Sequence, residues 1–342
     1  MTALVSILIP AYNAEKWIGE TITSALNQTW PRKEIVIVDD GSSDDTLRIA
    51  KHFESNLVKI VSQENRGASA ARNKALELAQ GEYIQWLDAD DLLASDKISV
   101  QMEAADRSQT GLTLYSGPHG TFYWRPEKAI FVPNSLWRDL SPVDWMIIKF
   151  SGNVFIAHGG WLVNRLLTEK SGPWDERLSL DDDGEYFSRV VASSERIEFV
   201  REARYYYRQS SVNQLSRKMS EELYRSSLLS TKLSIQYLRS MEESERIREA
   251  CLALLQSTFD FFYPDKTGLI EEMNTLASEL GGKLLPPNFS WKFNLARRLL
   301  GWNLAKEIRH KSRKLKLGIV VKLDRMMYGM TKSSQVAKEG LR

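Results

Sequence analysis

The chain has 342 residues, a length that suits one large α/β domain with a smaller appended region. Hydrophobic residues at 43% and charged residues at 26% exclude a mainly disordered chain, and the single cysteine, Cys251, excludes an internal disulfide and a cysteine-based zinc site. The net charge of +2 conceals an asymmetry, since residues 289–332 contain 12 Lys and Arg against 2 Asp and Glu.

The N-terminal sequence MTALVSILIP lacks a basic region and a small-residue cleavage site, so we do not expect a signal peptide. The most apolar later stretch, from Leu317 to Leu323, is far shorter than the roughly 18 to 20 residues of a transmembrane helix. We therefore expect a cytoplasmic protein that does not cross a membrane, and a single cysteine suits such a reducing compartment.

The first 115 residues alternate short apolar runs with amphipathic segments. The apolar runs predict strands at residues 4–9, 34–40, 57–63, 82–88 and 111–116. The amphipathic segments predict helices near residues 14–28, 43–54, 68–80 and 95–105, with Asn13 and Ser42 or Ser43 as N-caps. This order predicts an α/β fold with a mostly parallel sheet and helices on both of its faces.

The pattern changes twice further along the chain. Residues 116–215 are less regular, with strands predicted at 129–132, 196–200 and 203–207 and helices near 142–149 and 181–194. Beyond residue 218 the apolar spacing predicts only helices, near 219–241, 244–263, 267–280 and 291–313. We therefore divide the chain into an α/β domain at residues 1–215 and a helical C-terminal region at residues 216–342.

Carboxylates follow two of the predicted strands. Asp39 and Asp40 end the second run, and Asp88, Asp90 and Asp91 follow the fourth. Because ligands of open α/β sheets bind beyond the carboxyl ends of the strands, these groups should meet at one edge. Such charges repel unless a cation offsets them, and oxygen ligands without a Cys/His cluster favour Mg²⁺ or Mn²⁺. We predict Asp90 as the metal anchor, with Asp91 or Asp88, and an acidic helix start facing water is the alternative.

Three residues near the ends of the second and third strands suit a nucleotide diphosphate. Asp40 can accept hydrogen bonds from a base or ribose, although the same residues are typical of a capped turn. Gly67 permits close backbone approach after the third strand, and Arg72 in the next helix can contact a diphosphate. An ordinary helix N-terminus is the alternative for this segment.

Four motifs in order carry a resemblance to a known family. They are VSILIPAYNAEKWI, EIVIVDDGSSDDT, ENRGASAARNKAL and GEYIQWLDADD, all within residues 4 to 100. The chain resembles the inverting family 2 glycosyltransferases of GT-A fold, of the non-processive bacterial type. The resemblance implies a nucleotide pocket from Pro10, Ala11, Tyr12 and Asp40, a diphosphate contact from Arg72, and donor and metal contacts from Asp88, Asp90 and Asp91.

A later block, SGPWDERLSLDDDGEYFSRVV at residues 171–191, resembles the stretch of this family in which an acidic pair precedes a helix. By that alignment Asp182 and Asp183 are the pair, and Asp183 is the general base. An inverting displacement needs such a carboxylate to take the proton of the acceptor hydroxyl. An acidic helix N-terminus is one alternative, and a register that includes Asp181 in the pair is another.

The segment NVFIAHGGWLVNRLL at residues 153–167 lies between the metal motif and the proposed base. In the family this region faces the donor and acceptor sugars. The resemblance therefore implies that Trp161 stacks on a sugar ring and that His158 contacts the substrate. A core tryptophan and a structural histidine are the alternatives.

Together these features predict an enzyme whose catalytic domain, residues 1–215, has a nucleotide-sugar-binding half (1–115) and an acceptor half (116–215). It would transfer a sugar from a nucleotide diphosphate donor to a carbohydrate or lipid-linked acceptor, with inversion and with Mn²⁺ or Mg²⁺, in surface polysaccharide or glycoconjugate assembly. Lys218 stands where processive synthases carry the tryptophan of their Gln-x-x-Arg-Trp motif, so we expect one sugar per encounter.

Two other functions fit parts of the pattern. A nucleotide-sugar pyrophosphorylase needs a Gly-rich loop after the first strand, where this chain has only Gly19. A non-catalytic nucleotide-sugar-binding regulator or scaffold would bind the donor without turnover. The presence of both the metal aspartates and the acidic pair disfavours this second alternative.

The basic tail, residues 289–332, combines its cations with apolar and aromatic side chains. This combination is typical of an interfacial helix on an anionic membrane, so we expect peripheral, salt-sensitive membrane attachment. We do not expect nucleic acid as a partner, because the chain has no recognition motif for it. A helical pair that covers the acidic catalytic domain is the alternative.

Overall fold

The computed structural model describes residues 2–108, 111–209, 220–264, 267–287 and 289–339. Its strands, in chain order, are β1 (Val5–Ala11), β2 (Lys33–Asp39), β3 (Val58–Ser62), β4 (Tyr83–Trp86), β5 (Leu92–Leu93), β6 (Thr113–Ser116), β7 (His119–Phe122), β8 (Ile130–Phe131), β9 (Val163–Asn164), β10 (Arg196–Phe199) and β11 (Tyr205–Arg208). Its α-helices are α1 (Ile18–Leu26), α2 (Thr46–Lys51), α3 (Ala68–Leu78), α4 (Lys97–Arg107), α5 (Pro142–Gly152), α6 (Arg165–Ser171), α7 (Asp182–Ser193), α8 (Glu221–Met241), α9 (Glu245–Phe262), α10 (Thr267–Glu279) and α11 (Trp291–Glu339).

The central sheet has the strand order β3-β2-β1-β4-β9. Its first four strands are parallel, and β9 runs antiparallel to β4. In the register, Ala11 at the end of β1 pairs with Asp39 at the end of β2, and Leu8 pairs with Trp86, the last residue of β4. The residues that follow these strands therefore collect at one edge of the sheet.

Helices cover both faces of the central sheet. Along β1, Ile7 and Ile9 belong to one buried cluster and Leu8 to the other, because successive strand residues point to opposite faces. Helices α1, α2 and α4 contribute to the first cluster, and α3 and α5 to α10 contribute to the second. Strands that are apolar on both faces suit such a parallel sheet, and the predicted α/β fold is confirmed.

One predicted strand is confirmed but belongs to a second sheet, and the predicted N-caps are wrong. The strand predicted at residues 111–116 forms as β6, but it pairs with β10 outside the central sheet, where β9 takes the fifth place. Asn13, Ser42 and Ser43 are not N-caps, since α1 and α2 begin several residues after them. Asn13 Oδ1 accepts a hydrogen bond from the Ser43 N–H, and Ser42 Oγ accepts one from the Asn13 N–H. These side chains therefore join the loops that follow β1 and β2.

The C-terminal helices differ in how they pack. Residues of α8, α9 and α10 share a buried cluster with Leu8 and Trp86 of the sheet, so the hydrophobic core continues across residue 215 and the division there stays a prediction. Helix α11 is interrupted at Gly301, whose φ of 76° is not helical, and it extends well beyond its predicted end at residue 313. Among the described residues, no helix has the length and apolar character needed to span a membrane.

Leu238 of α8 tests this shared core, because it is fully buried in the cluster that also contains the sheet residues. Leu238→Ala should lower the free energy of unfolding by about 2–5 kcal/mol, since it leaves a cavity. Leu166→Ala, at a side chain that is 60% exposed, should change it by no more than about 0.5 kcal/mol. We expect near-UV and far-UV circular dichroism to report one urea transition that shifts as a whole. A separate helical transition that alone responds to Leu238→Ala would contradict the shared core.

Candidate functional site

A buried arginine joins the two aspartate groups that the sequence keeps far apart. Arg72 of α3 donates to Asp182 Oδ2 at 2.6 Å and to Asp88 Oδ1 at 3.2 Å. Its guanidinium carbon lies 4.4 Å from the centre of the Trp174 ring. Burial disfavours its charge, but the charges of Asp182, Asp88 and Asp183 outweigh burial and raise the pKa of Arg72. Arg72 therefore stays charged and brings the predicted donor and base residues together.

His158 is a second buried cation between these carboxylates. Its Nε2 lies 3.2 Å from Asp88 Oδ1, and its Nδ1 lies 3.7 Å from Asp183 Oδ2. Burial would lower the pKa of His158, but the charge of Asp88 and the contact with Asp183 raise it to about 10. Burial would raise the pKa of Asp88 and of Asp183, but His158 and Arg72 lower both. Both carboxylates are therefore ionised at neutral pH.

The glycines after His158 belong to a crowded turn. A Cβ atom at Gly159 would lie 1.9 Å from the ring of Tyr205, so a larger residue would displace one or the other. The carbonyl oxygen of Gly159 accepts a hydrogen bond from Gln85, and the next carbonyl accepts one from Gln101. These buried amides fix the turn that carries His158. The sequence analysis did not identify them, because their partners lie on other elements.

The three aspartates after β4 have different environments. Asp91 is fully buried, where it accepts hydrogen bonds from the Tyr205 hydroxyl at 2.5 Å and from the Arg208 N–H at 2.7 Å. Its carboxylate is thus committed to β11. Asp88 has 29% of its side chain exposed. Asp90 is partly buried, and burial together with the charge of Asp88 raises the pKa of Asp90 to about 6.

The donor set at this edge fits a hard divalent cation. Asp88 and Asp90 supply carboxylate oxygens, and Asp90 has a negative charge that its surroundings compensate poorly. Within the described ranges, no group of three or more His, Cys, Asp or Glu side chains is placed to hold a metal. A cation here would therefore take further oxygen ligands from a bound diphosphate and from water.

The acidic turn at the start of α7, formed by Asp181, Asp182 and Asp183, places the three candidate bases in different environments. Asp181, with φ of 60°, accepts a hydrogen bond from Ser230 Oγ at 2.6 Å. Asp182 is paired with Arg72 and has 18% of its side chain exposed. Asp183 accepts a local hydrogen bond from the Gly184 N–H, lies near His158, and has 35% of its side chain exposed. Asp183 is therefore ionised and partly exposed, whereas Asp181 is hydrogen-bonded to Ser230 and Asp182 is paired with Arg72.

Helix α8 holds this turn through buried serines that the sequence analysis missed. Ser226 Oγ lies 2.9 Å from the N–H groups of both Ser179 and Leu180, and Ser230 bonds to Asp181. Ser226, Ser230 and Ser234 are all buried and lie on one face of α8 at four-residue spacing. A regular polar stripe inside an otherwise apolar helix face is the sequence signal that could have indicated this role.

The predicted nucleotide pocket lies beyond β1 and β2. Pro10 and Ala11 end β1, and the following residue, Tyr12, has 47% of its surface exposed. Asp40 is buried and accepts hydrogen bonds from Gln63 and from two backbone N–H groups of the loop before α3. Asp39, which the sequence analysis did not select, has a buried Oδ1 without a hydrogen-bond partner among the described residues. Asp40 therefore shapes the loop, and Asp39 offers the open acceptor.

Trp161 lies in the hydrophobic core. It is 1% exposed, stacks on Phe187 with ring centres 5.6 Å apart, and contacts Trp145 at 5.4 Å. The structure therefore does not bring this predicted sugar-stacking residue to the site, whereas it does bring His158 there. Trp161 is a core residue because its segment leads directly into β9 of the central sheet.

Comparison with known families places this geometry in context. The profile described as Glycosyl transferase family 2 matches residues 6–170. The chain is 45% identical over 103 residues to the putative teichuronic acid biosynthesis glycosyltransferase TuaG of Bacillus subtilis, a match that covers 29% of this chain and 41% of TuaG. The match thus spans less than half of TuaG. A longer match, to glycosyltransferase GlyG of Streptococcus pneumoniae, is 27% identical and covers 74% of this chain and 82% of GlyG.

A solved structure shares the fold over most of the chain. It is the crystal structure of S. aureus TarS 1-349 in complex with UDP-GlcNAc, which superposes with a TM-score of 0.62 at 22% identity. The match covers 81% of this chain and 79% of that chain. At this identity the likeness establishes the GT-A fold with its C-terminal helical region.

Neighbouring aspartates test the different roles of the carboxylates after β4. Asp91→Ala should lower the free energy of unfolding of the metal-free protein by about 1–3 kcal/mol, because the buried donor groups of Tyr205 and Arg208 lose their hydrogen-bond acceptor. Asp90→Ala should leave stability unchanged or increase it, because it removes repulsion with Asp88. Urea denaturation measures both. A greater loss for Asp90→Ala than for Asp91→Ala would contradict this assignment.

Proposed function

Because the chain belongs to the family 2 glycosyltransferases, we propose that it transfers a sugar from a nucleotide diphosphate donor to an acceptor hydroxyl with inversion. The proposed setting is the assembly of a surface polysaccharide or glycoconjugate, because TuaG is assigned to teichuronic acid biosynthesis. The observation that carries the proposal is the contact of Arg72 with both Asp88 and Asp182. This contact holds the donor edge, which is formed by the residues after β1, β2 and β4, against the acidic turn at the start of α7.

The donor would bind across the ends of β1 and β2. Asp39 Oδ1 is buried and has no hydrogen-bond partner in the part of the chain that the structure describes, so it suits an N–H donor of the base. Tyr12 is exposed beside it and can contact the base or ribose. Because TarS binds UDP-GlcNAc on the same fold, UDP is the first nucleotide to test. Arg72 would supply positive charge to the diphosphate.

Asp88 and Asp90 would hold the divalent cation, Mn²⁺ or Mg²⁺. When bound, such an ion stabilises the negative charge that develops on the leaving diphosphate. Asp91 would position Asp90 without contacting the cation itself, because its hydrogen bonds to Tyr205 and Arg208 fix the loop that carries Asp90. The sequence-based prediction paired Asp90 with Asp91 or Asp88, and this proposal takes Asp88.

Asp183 would be the general base. It is ionised and partly exposed, and it can take the proton of the acceptor hydroxyl as the oxygen attacks the anomeric carbon. His158 would hold Asp183 and Asp88 at a fixed separation, since its imidazolium contacts both. Asp182 would fix Arg72 through their 2.6 Å ion pair.

A donor panel tests the reaction class. The purified chain is incubated with UDP-, GDP- and dTDP-sugars and Mn²⁺, and release of the nucleoside diphosphate is measured. We expect slow hydrolysis of one donor class that stops with EDTA. Donor binding without release would support the regulator alternative, and exchange with pyrophosphate would support the pyrophosphorylase alternative.

Asp183→Asn separates base catalysis from donor binding. Turnover should fall by about 10²- to 10⁴-fold, because the amide cannot take the acceptor proton, while calorimetry should show unchanged donor affinity. Asp182→Asn is the matched control at the adjacent position. It should lose less turnover and more donor affinity, because Arg72 loses the closer of its two carboxylate partners. Near-normal turnover of Asp183→Asn would assign the base elsewhere in the turn.

We further propose that α11 attaches the enzyme to the cytoplasmic face of an anionic membrane, where a lipid-linked acceptor would lie. One face of α11 packs on the rest of the protein. Its Val321 is buried, Asp324 accepts a hydrogen bond from Arg125, and Tyr328 donates one to Glu20. Ile319 and Leu323 are about half exposed on the opposite face, because two residues turn a helix by about 200°.

The exposed side of α11 is both apolar and basic. Its exposed apolar residues include Leu295, Leu299, Leu300, Leu304, Ile308, Ile319, Val320, Leu323 and Met326. Arg298 and Lys322 are exposed on the same helix, and each basic residue near an anionic leaflet contributes about 1 kcal/mol. A helix that packs on one face and exposes such a surface on the other suits an interfacial location. The docked face also agrees with the alternative in which α11 covers the catalytic part.

Substitution in the exposed stripe tests attachment. Ile319→Ser with Leu323→Ser should lower binding to vesicles that contain phosphatidylglycerol by about 10-fold, because two apolar side chains no longer enter the interface. Leu57→Ser, at a side chain that is 48% exposed outside α11, is the control and should bind normally. Equal sedimentation of the double variant and the unaltered protein would reject the membrane face, as would equal binding to neutral vesicles.

A further inference from the structure

The docked face of α11 contacts a residue of α1. Tyr328 donates its hydroxyl hydrogen to Glu20 Oε1 at 2.6 Å. One turn earlier, Asp324 accepts hydrogen bonds from the N–H of Trp124 at 2.9 Å and from Arg125 Nε at 2.6 Å. The first contact joins α11 to α1, at opposite ends of the sequence, and the second joins α11 to the loop after β7.

Glu20 also forms an ion pair with a buried arginine, Arg208. Its second oxygen, Oε2, lies 2.8 Å from a terminal guanidinium nitrogen of Arg208. The side chain of Arg208 is fully buried, with its guanidinium carbon 4.3 Å from the ring centre of Trp17 and 4.6 Å from that of Phe122. A buried guanidinium between two rings has a fixed position, so it can transmit the placement of Glu20.

Arg208 in turn holds the aspartate loop. Its Nε donates to the backbone carbonyl of Asp90 at 2.5 Å, and its backbone N–H donates to Asp91 Oδ1 at 2.7 Å. β11, which ends at Arg208, also pairs with β5 directly after the aspartates. One residue therefore fixes the loop that carries Asp90 from two sides.

We infer that Glu20, Arg208 and Tyr328 are positioning residues for the Asp88 to Asp91 loop, so that docking of α11 contributes to metal-dependent binding of the donor. The inference rests on the proposed function in one respect, the assignment of Asp88 and Asp90 to the cation. Ligands of a metal need partners that orient them, and loss of such a partner typically lowers affinity.

The positioning role makes a prediction that a merely structural role does not. Calorimetry with UDP as the probe gives one affinity with Mn²⁺ and another with EDTA. Glu20→Gln, which keeps the size of the side chain and removes its charge, should weaken the Mn²⁺-dependent affinity about 10-fold. Tyr328→Phe should weaken it about 3-fold, because the lost hydroxyl acts one contact further away. Both variants should retain the affinity measured in EDTA.

The matched control is Tyr237→Phe, which removes a tyrosine hydroxyl that donates to Glu185 at 2.7 Å on another pair of helices. It should leave both affinities unchanged. Glu20→Gln and Tyr328→Phe variants that fold and bind UDP with Mn²⁺ like the unaltered chain would overturn the inference alone. An unaltered chain whose UDP affinity does not respond to Mn²⁺ would overturn the proposed cation site and the inference with it. An equal loss with Mn²⁺ and with EDTA would assign these residues to folding and would also overturn it.

Discussion

Charge compensation around Asp88 is the constraint on which the rest of the site depends. Arg72 and His158, both buried, contact Asp88 and also reach the acidic turn at Asp182 and Asp183. Without these two cations, carboxylates at such short separations would repel one another or take up protons. The cations therefore keep Asp88 and the proposed base, Asp183, ionised and close together.

The scaffold serves this arrangement from three directions. Parallel strands bring the ends of β1, β2 and β4 to one edge, as the register of Ala11 with Asp39 shows. Buried serines of α8 hold the acidic turn, and Arg208 at the end of β11 holds the loop of Asp90. The helical region is thus part of the site's support, which agrees with the hydrophobic core that continues from the sheet into α8.

The sequence predicted well what depends on local pattern. Strand and helix order, the α/β fold and the carboxylates beyond the strands follow from periodicity and chain order. Prediction from the sequence failed for residues whose role depends on a contact with a residue far away in the sequence. Asp39 and Asp40 are adjacent and chemically identical, yet the loop before α3 donates hydrogen bonds to Asp40 and leaves Asp39 Oδ1 without a partner among the described residues. Asp91 is tied to Tyr205, and Trp161 is buried against Phe187, through contacts that no local pattern encodes.

The most direct measurement is a crystal structure of the chain with UDP and Mn²⁺, in which anomalous scattering locates the manganese. The account predicts manganese between the carboxylates of Asp88 and Asp90 and the diphosphate, with Asp91 still bonded to Tyr205 and Arg72 beside the diphosphate. Bound UDP with manganese coordinated by Asp91 instead, or with no manganese beside Asp88 and Asp90, would contradict it.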